Sequence, residues 1–300
     1  MVTEVEIKKS KINRLIQSTL KGLVLLSPWL VSEGYPYELH QRYRIGGWQK
    51  SIGNKNRMKN LFLFVISFLS LFSLKAQVAD KTTYLSDIKQ ELQKTWPENR
   101  TINLVFHGHS VPSGYFDTPN VRTLQSYPYL TLQTVKEYYP YSVVNCITTA
   151  IGGENSEQGC ARFTSEVLIH RPDVVFIDYA LNDRGMGLER ARKAWETMIQ
   201  EALKQHVKVV LMTPTPDLTE DILNPEMPLE KHARQIRELA AKYQTGLVDS
   251  YAAFKQLKLN GEDLNMYMSQ FNHPNEKGHR IVCDMIAQWL LEPEINDNLK

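Results

Sequence analysis

From Gln77 onward the chain alternates short, nearly continuous apolar runs with longer stretches in which apolar residues recur every three or four positions. The runs Ile102 to Phe106, Ser142 to Ile147, Asp173 to Tyr179, Val207 to Thr213 and Thr245 to Asp249 have the length and density of strands buried on both faces. Between them the pattern predicts helices near Leu85 to Trp96, Leu124 to Tyr139, Ser156 to His170, Leu188 to Gln205 and Glu230 to Tyr243, and a last one from about Asn275 to Leu291. In that last segment Ile281, Val282, Met285, Ile286, Trp289 and Leu290 form one apolar stripe suited to packing on a sheet. Strand and helix in alternation predict a central five-stranded parallel sheet covered on both faces, a three-layer α/β/α sandwich.

The first 76 residues follow a different pattern. From Met58 the chain reads MKNLFLFVISFLSLFSLKAQ: a lysine near the front, 14 residues from Leu61 to Leu74 that are apolar apart from serines, and Ala76 before Gln77. That is the layout of a secretory leader, and it is shorter than the roughly 20 residues a spanning helix needs. Residues 1–57 carry a basic stretch, a short apolar run and a Gly-rich tail without sustained periodicity. A leader acts from the front of a nascent chain, so residues 1–57 read as a mis-assigned extension with Met58 as the initiator. Residues 58–76 are then the signal peptide and residues 77–300 the exported domain, periplasmic or secreted, with no stable membrane anchor after cleavage.

This division changes the charge balance. Residues 1–76 hold 12 of the 35 basic residues and 4 of the 33 acidic ones, which leaves residues 77–300 with a net charge of −6 although the whole chain is at +2. An acidic domain lacks the cationic surface that phosphate contacts require, so no nucleic-acid partner is expected. The cysteines, Cys146, Cys160 and Cys283, match no zinc spacing and read as small buried hydrophobes, with one disulfide open after export. His107 and His109 share one face of a strand, but no third ligand with a recognisable spacing accompanies them. No metal or organic cofactor is implied.

In open parallel sheets, sites form at the carboxyl ends of the strands. Three polar blocks fall there: FHGHS at Phe106 to Ser110, AIGGENS at Ala150 to Ser156, and YALND at Tyr179 to Asp183. A fourth, FNHPNEKGH at Phe271 to His279, precedes the last helix. Together they supply a serine, a glycine amide, an asparagine amide and a histidine. Acyl transfer needs a nucleophile, a base to take its proton, and donors aimed at the oxyanion.

The four blocks, in this order, resemble the SGNH or GDSL hydrolases, whose fold is flavodoxin-like. The resemblance implies that Ser110 is the nucleophile, with Gly108 allowing a sharp turn after the strand. It makes His273 the general base, with Pro274 behind it in the first turn of the final helix. The oxyanion hole would combine the backbone N–H groups of Ser110 and Gly153 with the side-chain amide of Asn182. His279 reads as a helix-face residue, and the loop Thr213 to Asp217 as part of the rim.

Three positions depart from the family pattern. His109 and Ala180 stand where the family usually has Asp and Gly, beside rather than at the reacting groups. Gln270 occupies the position of the acid that orients the histidine. Its carbonyl can accept the imidazole proton without supplying a charge, while its amide would favour the wrong tautomer; in the serine-protease template the comparable Asp-to-Asn change lowers turnover about ten-thousand-fold. Glu276 is the nearby carboxylate that would substitute, although Glu276 and Asp249 equally suit helix starts. The expected activity is an exported serine esterase acting on carboxylic esters, with O-acetylated carbohydrates preferred as substrates. A lipid acylhydrolase and a non-catalytic glycan-binding protein on the same fold are the alternatives.

Overall fold

The protein was analysed as a computed structural model that describes residues 77–292. The expected extension and signal peptide, residues 1–57 and 58–76, lie outside the described residues. Among the described residues no helix is long and apolar enough to cross a membrane.

The chain enters through α1 (Ser86–Gln93) and β1 (Thr101–Gly108), followed by the single turn α2 (Ser110–Ser113) and by α3 (Tyr127–Tyr138). Next come β2 (Val143–Thr148), α4 (Ser156–Arg162), β3 (Val174–Asp178) and the short α5 (Ala180–Asp183). The second half runs α6 (Leu188–Lys204), β4 (Lys208–Met212), α7 (Pro228–Tyr243), β5 (Gly246–Val248) and α8 (Ser250–Leu259). It closes with β6 (Met268–Gln270), β7 (His273–Pro274) and α9 (Glu276–Leu290).

Strands β1 to β5 form one sheet in the order β2-β1-β3-β4-β5, every pair parallel. This is the flavodoxin-like order, and the chain reverses direction of travel across the sheet between β1 and β3. Alternate residues of the central strands face opposite layers. Val174 and Phe176 of β3, with Val210 and Met212 of β4, pack into a core with α1, α3, α8 and α9, through residues such as Leu130, Phe254 and Ile286. Val175, Ile177, Val209 and Leu211 pack on the other side against Trp195, Met198 and Ile199 of α6. Burial on both faces is why these strands read as unbroken apolar runs.

The three-layer sandwich and its five strands stand as expected, with differences at the margins. Helix α8, capped by the Asp249 side chain on the Ala252 N–H at 3.2 Å, was not foreseen. Its exposed positions include Gln256 and Lys258, which with the half-buried Lys255 dilute the apolar period. The expected helix from Ser156 to His170 is three pieces: α4, one π turn at Phe163–Val167 and a 3₁₀ turn at Leu168–His170. The α-helical part ends at Arg162, whose guanidinium turns inward to Glu154 and the Thr149 carbonyl. All three cysteines are free, and Cys283 alone is fully buried.

Candidate active site

Ser110 opens α2 immediately after β1, at the carboxyl edge of the sheet. Gly108 serves this placement, but not through a turn: a Cβ there would lie 2.4 Å from the Asp178 carbonyl oxygen and 2.8 Å from Pro112. Glycine lets β1 approach the end of β3 and lets α2 fold back over it. The next residue, His109, is buried; its Nδ1 accepts the Val111 N–H at 3.2 Å, and its Nε2 faces Asp178 Oδ1 at 3.4 Å. Asp178 also accepts from the Tyr127 hydroxyl at 3.0 Å. The departure from the family's Asp at position 109 is thus matched by a carboxylate on the neighbouring strand.

His273 reaches Ser110 from the far end of the sequence. Its Nε2 lies 2.7 Å from Ser110 Oγ across a separation of 163 residues, and both side chains are largely buried. The histidine is carried by the antiparallel pair β6 and β7, in which Gln270 opposes His273. Ser269 Oγ donates to the His273 carbonyl at 3.1 Å, and the Asn275 side chain caps α9 by accepting the N–H groups of Lys277 and Gly278. Burial, reinforced by nearby His109, pushes the His273 pKa down to about 4 against an opposing pull from the Phe116 carbonyl. The imidazole is therefore neutral at pH 7, as a proton acceptor must be.

The remaining partner of His273 is Gln270, whose Nε2 contacts the ring Nδ1. Glu276, the other candidate for the missing acid, is the exposed first residue of α9 and lines an open groove with Arg122, Lys277 and Arg280. It is a helix-start residue, as Asp249 is for α8. His279 is buried on the inner face of α9, where its Nδ1 accepts the Tyr127 N–H at 3.2 Å and its ring stacks on Phe116.

The loop after β2 meets the end of β1, where the Ile151 N–H donates to the Gly108 carbonyl at 3.0 Å, and in it Gly153 has a φ of +80°, a left-handed conformation open to glycine without strain. An added Cβ would meet nothing, so backbone conformation and not space demands glycine there. Asn182, at the carboxyl end of β3, donates from Nδ2 to the Glu154 carbonyl at 2.8 Å. That bond ties it to the loop that carries Gly153. Asp183 accepts the Ser156 N–H and the Trp195 indole N–H, each at 2.8 Å, and so caps α4 from a different element.

A buried network that the sequence blocks did not reveal fixes this loop from behind. Arg162 donates to both carboxylate oxygens of Glu154, at 2.7 and 2.5 Å, and to the Thr149 carbonyl at 2.6 Å. The Tyr179 hydroxyl donates to Glu154 at 2.9 Å and meets His107 Nε2 at 3.1 Å. Burial, with Arg162 nearby, lowers the His107 pKa to about 3, and burial beside Glu154 raises that of Tyr179. His107 thus belongs to a hydrogen-bonded core network. Spacing offered no signal for it, because Glu154, Arg162 and Tyr179 meet only when β1, β3 and α4 pack.

The loop Thr213 to Asp217 is buried, contrary to its expected place on the rim. Asp217 pairs with Arg184 at 2.7 Å, and Leu218 donates its N–H to the Phe271 carbonyl at 2.7 Å. The segment buttresses the histidine loop from beneath. Tyr115 takes a boundary position instead: its ring faces that of His273 with centroids 6.3 Å apart and lies against Gly152.

A family model for GDSL-like lipases and acylhydrolases matches residues 106–281, from the strand before Ser110 to the helix after His273. Among solved structures the chain is similar to Axe2, an acetylxylan esterase from Geobacillus stearothermophilus. The identity is 20%, over 63% of this chain and 94% of that one, with a TM-score of 0.55. It is also similar to a two-domain esterase (CEX) active on acetylated mannans and co-crystallised with mannopentaose. There the identity is 20%, over 72% of this chain and 54% of that one, with a TM-score of 0.58. A search of curated proteins finds no match. At these identities the structural likenesses establish the fold.

Proposed function

Since the chain belongs to the GDSL-like lipase/acylhydrolase family and is a carboxylic ester hydrolase, we propose that it removes acetyl groups from O-acetylated carbohydrates through an acyl-Ser110 intermediate. The observation that carries the assignment is the 2.7 Å contact between Ser110 Oγ and His273 Nε2. In the first half-reaction Oγ attacks the ester carbonyl while its proton passes to Nε2. The carbonyl oxygen takes the negative charge against the N–H groups of Ser110, Gly153 and Asn182, and the alcohol leaves with the proton from Nε2. In the second, water loses its proton to Nε2, attacks the acyl carbon and expels Ser110 Oγ, which recovers the proton.

The carbohydrate preference is supported by the two similar structures, whose own substrates are acetylated xylan and acetylated mannan. Export is supported by the leader-like pattern from Met58 to Ala76. The test is hydrolysis of p-nitrophenyl acetate, p-nitrophenyl octanoate and acetylated xylo-oligosaccharides by the purified protein, with Ser110→Ala as background. Acetate release from the oligosaccharides with the octanoyl ester a poor substrate is the expected result. The reverse order would make it a lipid acylhydrolase. N-terminal sequencing of the exported protein should begin at or near Gln77.

A further inference from the structure

We propose that Gln270 is a positioning residue that locks neutral His273 in the tautomer carrying its proton on Nε2, so that the resting imidazole donates to Ser110 Oγ instead of accepting from it. The inference rests on the roles of Ser110 and His273 given above. A carboxamide nitrogen has only N–H groups to offer, and Gln270 Nε2 is the atom in contact with His273 Nδ1. The ring nitrogen facing it must present a lone pair. A neutral imidazole has a single N–H, which is then on Nε2, 2.7 Å from Ser110 Oγ.

The two ends of a carboxamide can exchange by rotation, so the lock depends on what holds the amide. The backbone N–H of Thr118 donates to Gln270 Oε1 at 3.1 Å. A main-chain N–H can only give a proton, so a rotated amide would set its NH2 group against another donor. Nε2 in its present place also donates to Asn272 Oδ1 at 3.2 Å and lies 3.5 Å from Thr118 Oγ1. Of these contacts the Thr118 backbone N–H selects the orientation, because a hydroxyl and a carboxamide can each serve as donor or acceptor. Thr118 belongs to a strap closed by the Tyr115–Val121 bridge, and Tyr115 donates its N–H to the Ser110 carbonyl at 3.1 Å. The lock and the nucleophile therefore share one segment.

Before Ser110 can lose its proton to His273, the ring proton must move to Nδ1 and find an acceptor there. Gln270 opposes that step until its amide swings away from Nδ1. A glutamate of the same length would remove the opposition: one oxygen would keep the Thr118 N–H and the other would accept Nδ1–H.

The test is nitrogen-15 NMR of the histidine side chains in the full chain near neutral pH, paired with p-nitrophenyl acetate kinetics. The wild type should show His273 protonated at Nε2 and bare at Nδ1. Gln270→Glu should reverse that assignment and raise kcat at least tenfold with little change in KM. Gln270→Ala, which removes the lock without adding a charge, should also lose the Nε2–H preference and serves if the glutamate variant does not fold. A wild-type His273 protonated at Nδ1 would overturn the lock even in an active enzyme. Absence of hydrolysis in both wild type and Gln270→Glu, with the tautomer as expected, would sink the esterase roles of Ser110 and His273 and leave the lock standing.

Discussion

The two flanks of Ser110 are built from opposite materials. On the oxyanion side, the loop from Ala150 to Asn155 is held by charges taken out of water: Glu154 by Arg162, with Tyr179 on the same carboxylate, and the start of α4 by Asp183. On the base side the side chains hydrogen-bonded to His273 and its carrier loop include the neutral Gln270, Ser269 and Asn275, on a two-stranded piece with few paired residues. Buried ion pairs contribute less to net stability than to fixing a geometry, because breaking one leaves an uncompensated charge. The proposed oxyanion donors Gly153 and Asn182 sit on the charged flank. His273, the proposed base, sits on the other, where the Gln270 amide contacts its Nδ1.

The largest effect expected is on Ser110 itself. Ser110→Ala should reduce hydrolysis of p-nitrophenyl acetate to the background rate, since it removes the nucleophile, with an unchanged melting temperature. Retained turnover would remove the site from the reaction.

Arg162→Met should then separate the flanks by stability. It leaves the Glu154 carboxylate buried without its cation and should cost about 3–5 kcal/mol in urea unfolding, whereas Gln270→Ala should cost less than about 1.5 kcal/mol, a neutral hydrogen bond at a partly exposed site. Equal costs for the two would erase the contrast. Asn182→Ala comes next: turnover should fall about a hundredfold or more through loss of an oxyanion donor. Its bond to the Glu154 carbonyl predicts a modest loss of stability as well, and unchanged turnover would leave Asn182 as an anchor for the loop alone.

A smaller effect, shared by both flanks, is expected with pH. Burial lowers the pKa of His107 to about 3, of His232 to about 4, of His273 to about 4 and of His279 to about 3, from 6.5 in the unfolded chain. The unfolded chain therefore binds more protons between these values. The stability these neutral rings contribute is complete above pH 6.5 and is lost as pH falls toward 3 to 4. Asp183, raised by burial, works in the opposite sense. Melting temperatures should fall between pH 7 and pH 4, and a flat profile would contradict the burial of these histidines as neutral groups. The smallest effect is expected at Glu276, exposed at the start of α9: Glu276→Gln should leave turnover within about twofold, since it loses only a favourable helix-dipole interaction.

The amino-acid sequence by itself determined the layers and the order of the site blocks. Val174 to Ile177 and Val209 to Met212 are apolar without interruption because both faces of the sheet are covered, and that signal survives in a single chain. The blocks that hold Ser110, Gly153 and Asn182 follow β1, β2 and β3, so their place at one edge of the sheet could be foreseen from topology alone. What depended on packing was different in kind. Glu154, Arg162 and Tyr179 have no common spacing and meet only where α4 and β3 come together. The segment Thr213 to Asp217 reads as a polar rim yet is buried by its pairing with Arg184 and Asp249. The function of Gln270 is legible as a missing acid, but the direction of its amide is set by a backbone N–H 152 residues away at Thr118. Periodicity records which face of an element is buried; it carries no information about which donor will meet which acceptor across the fold.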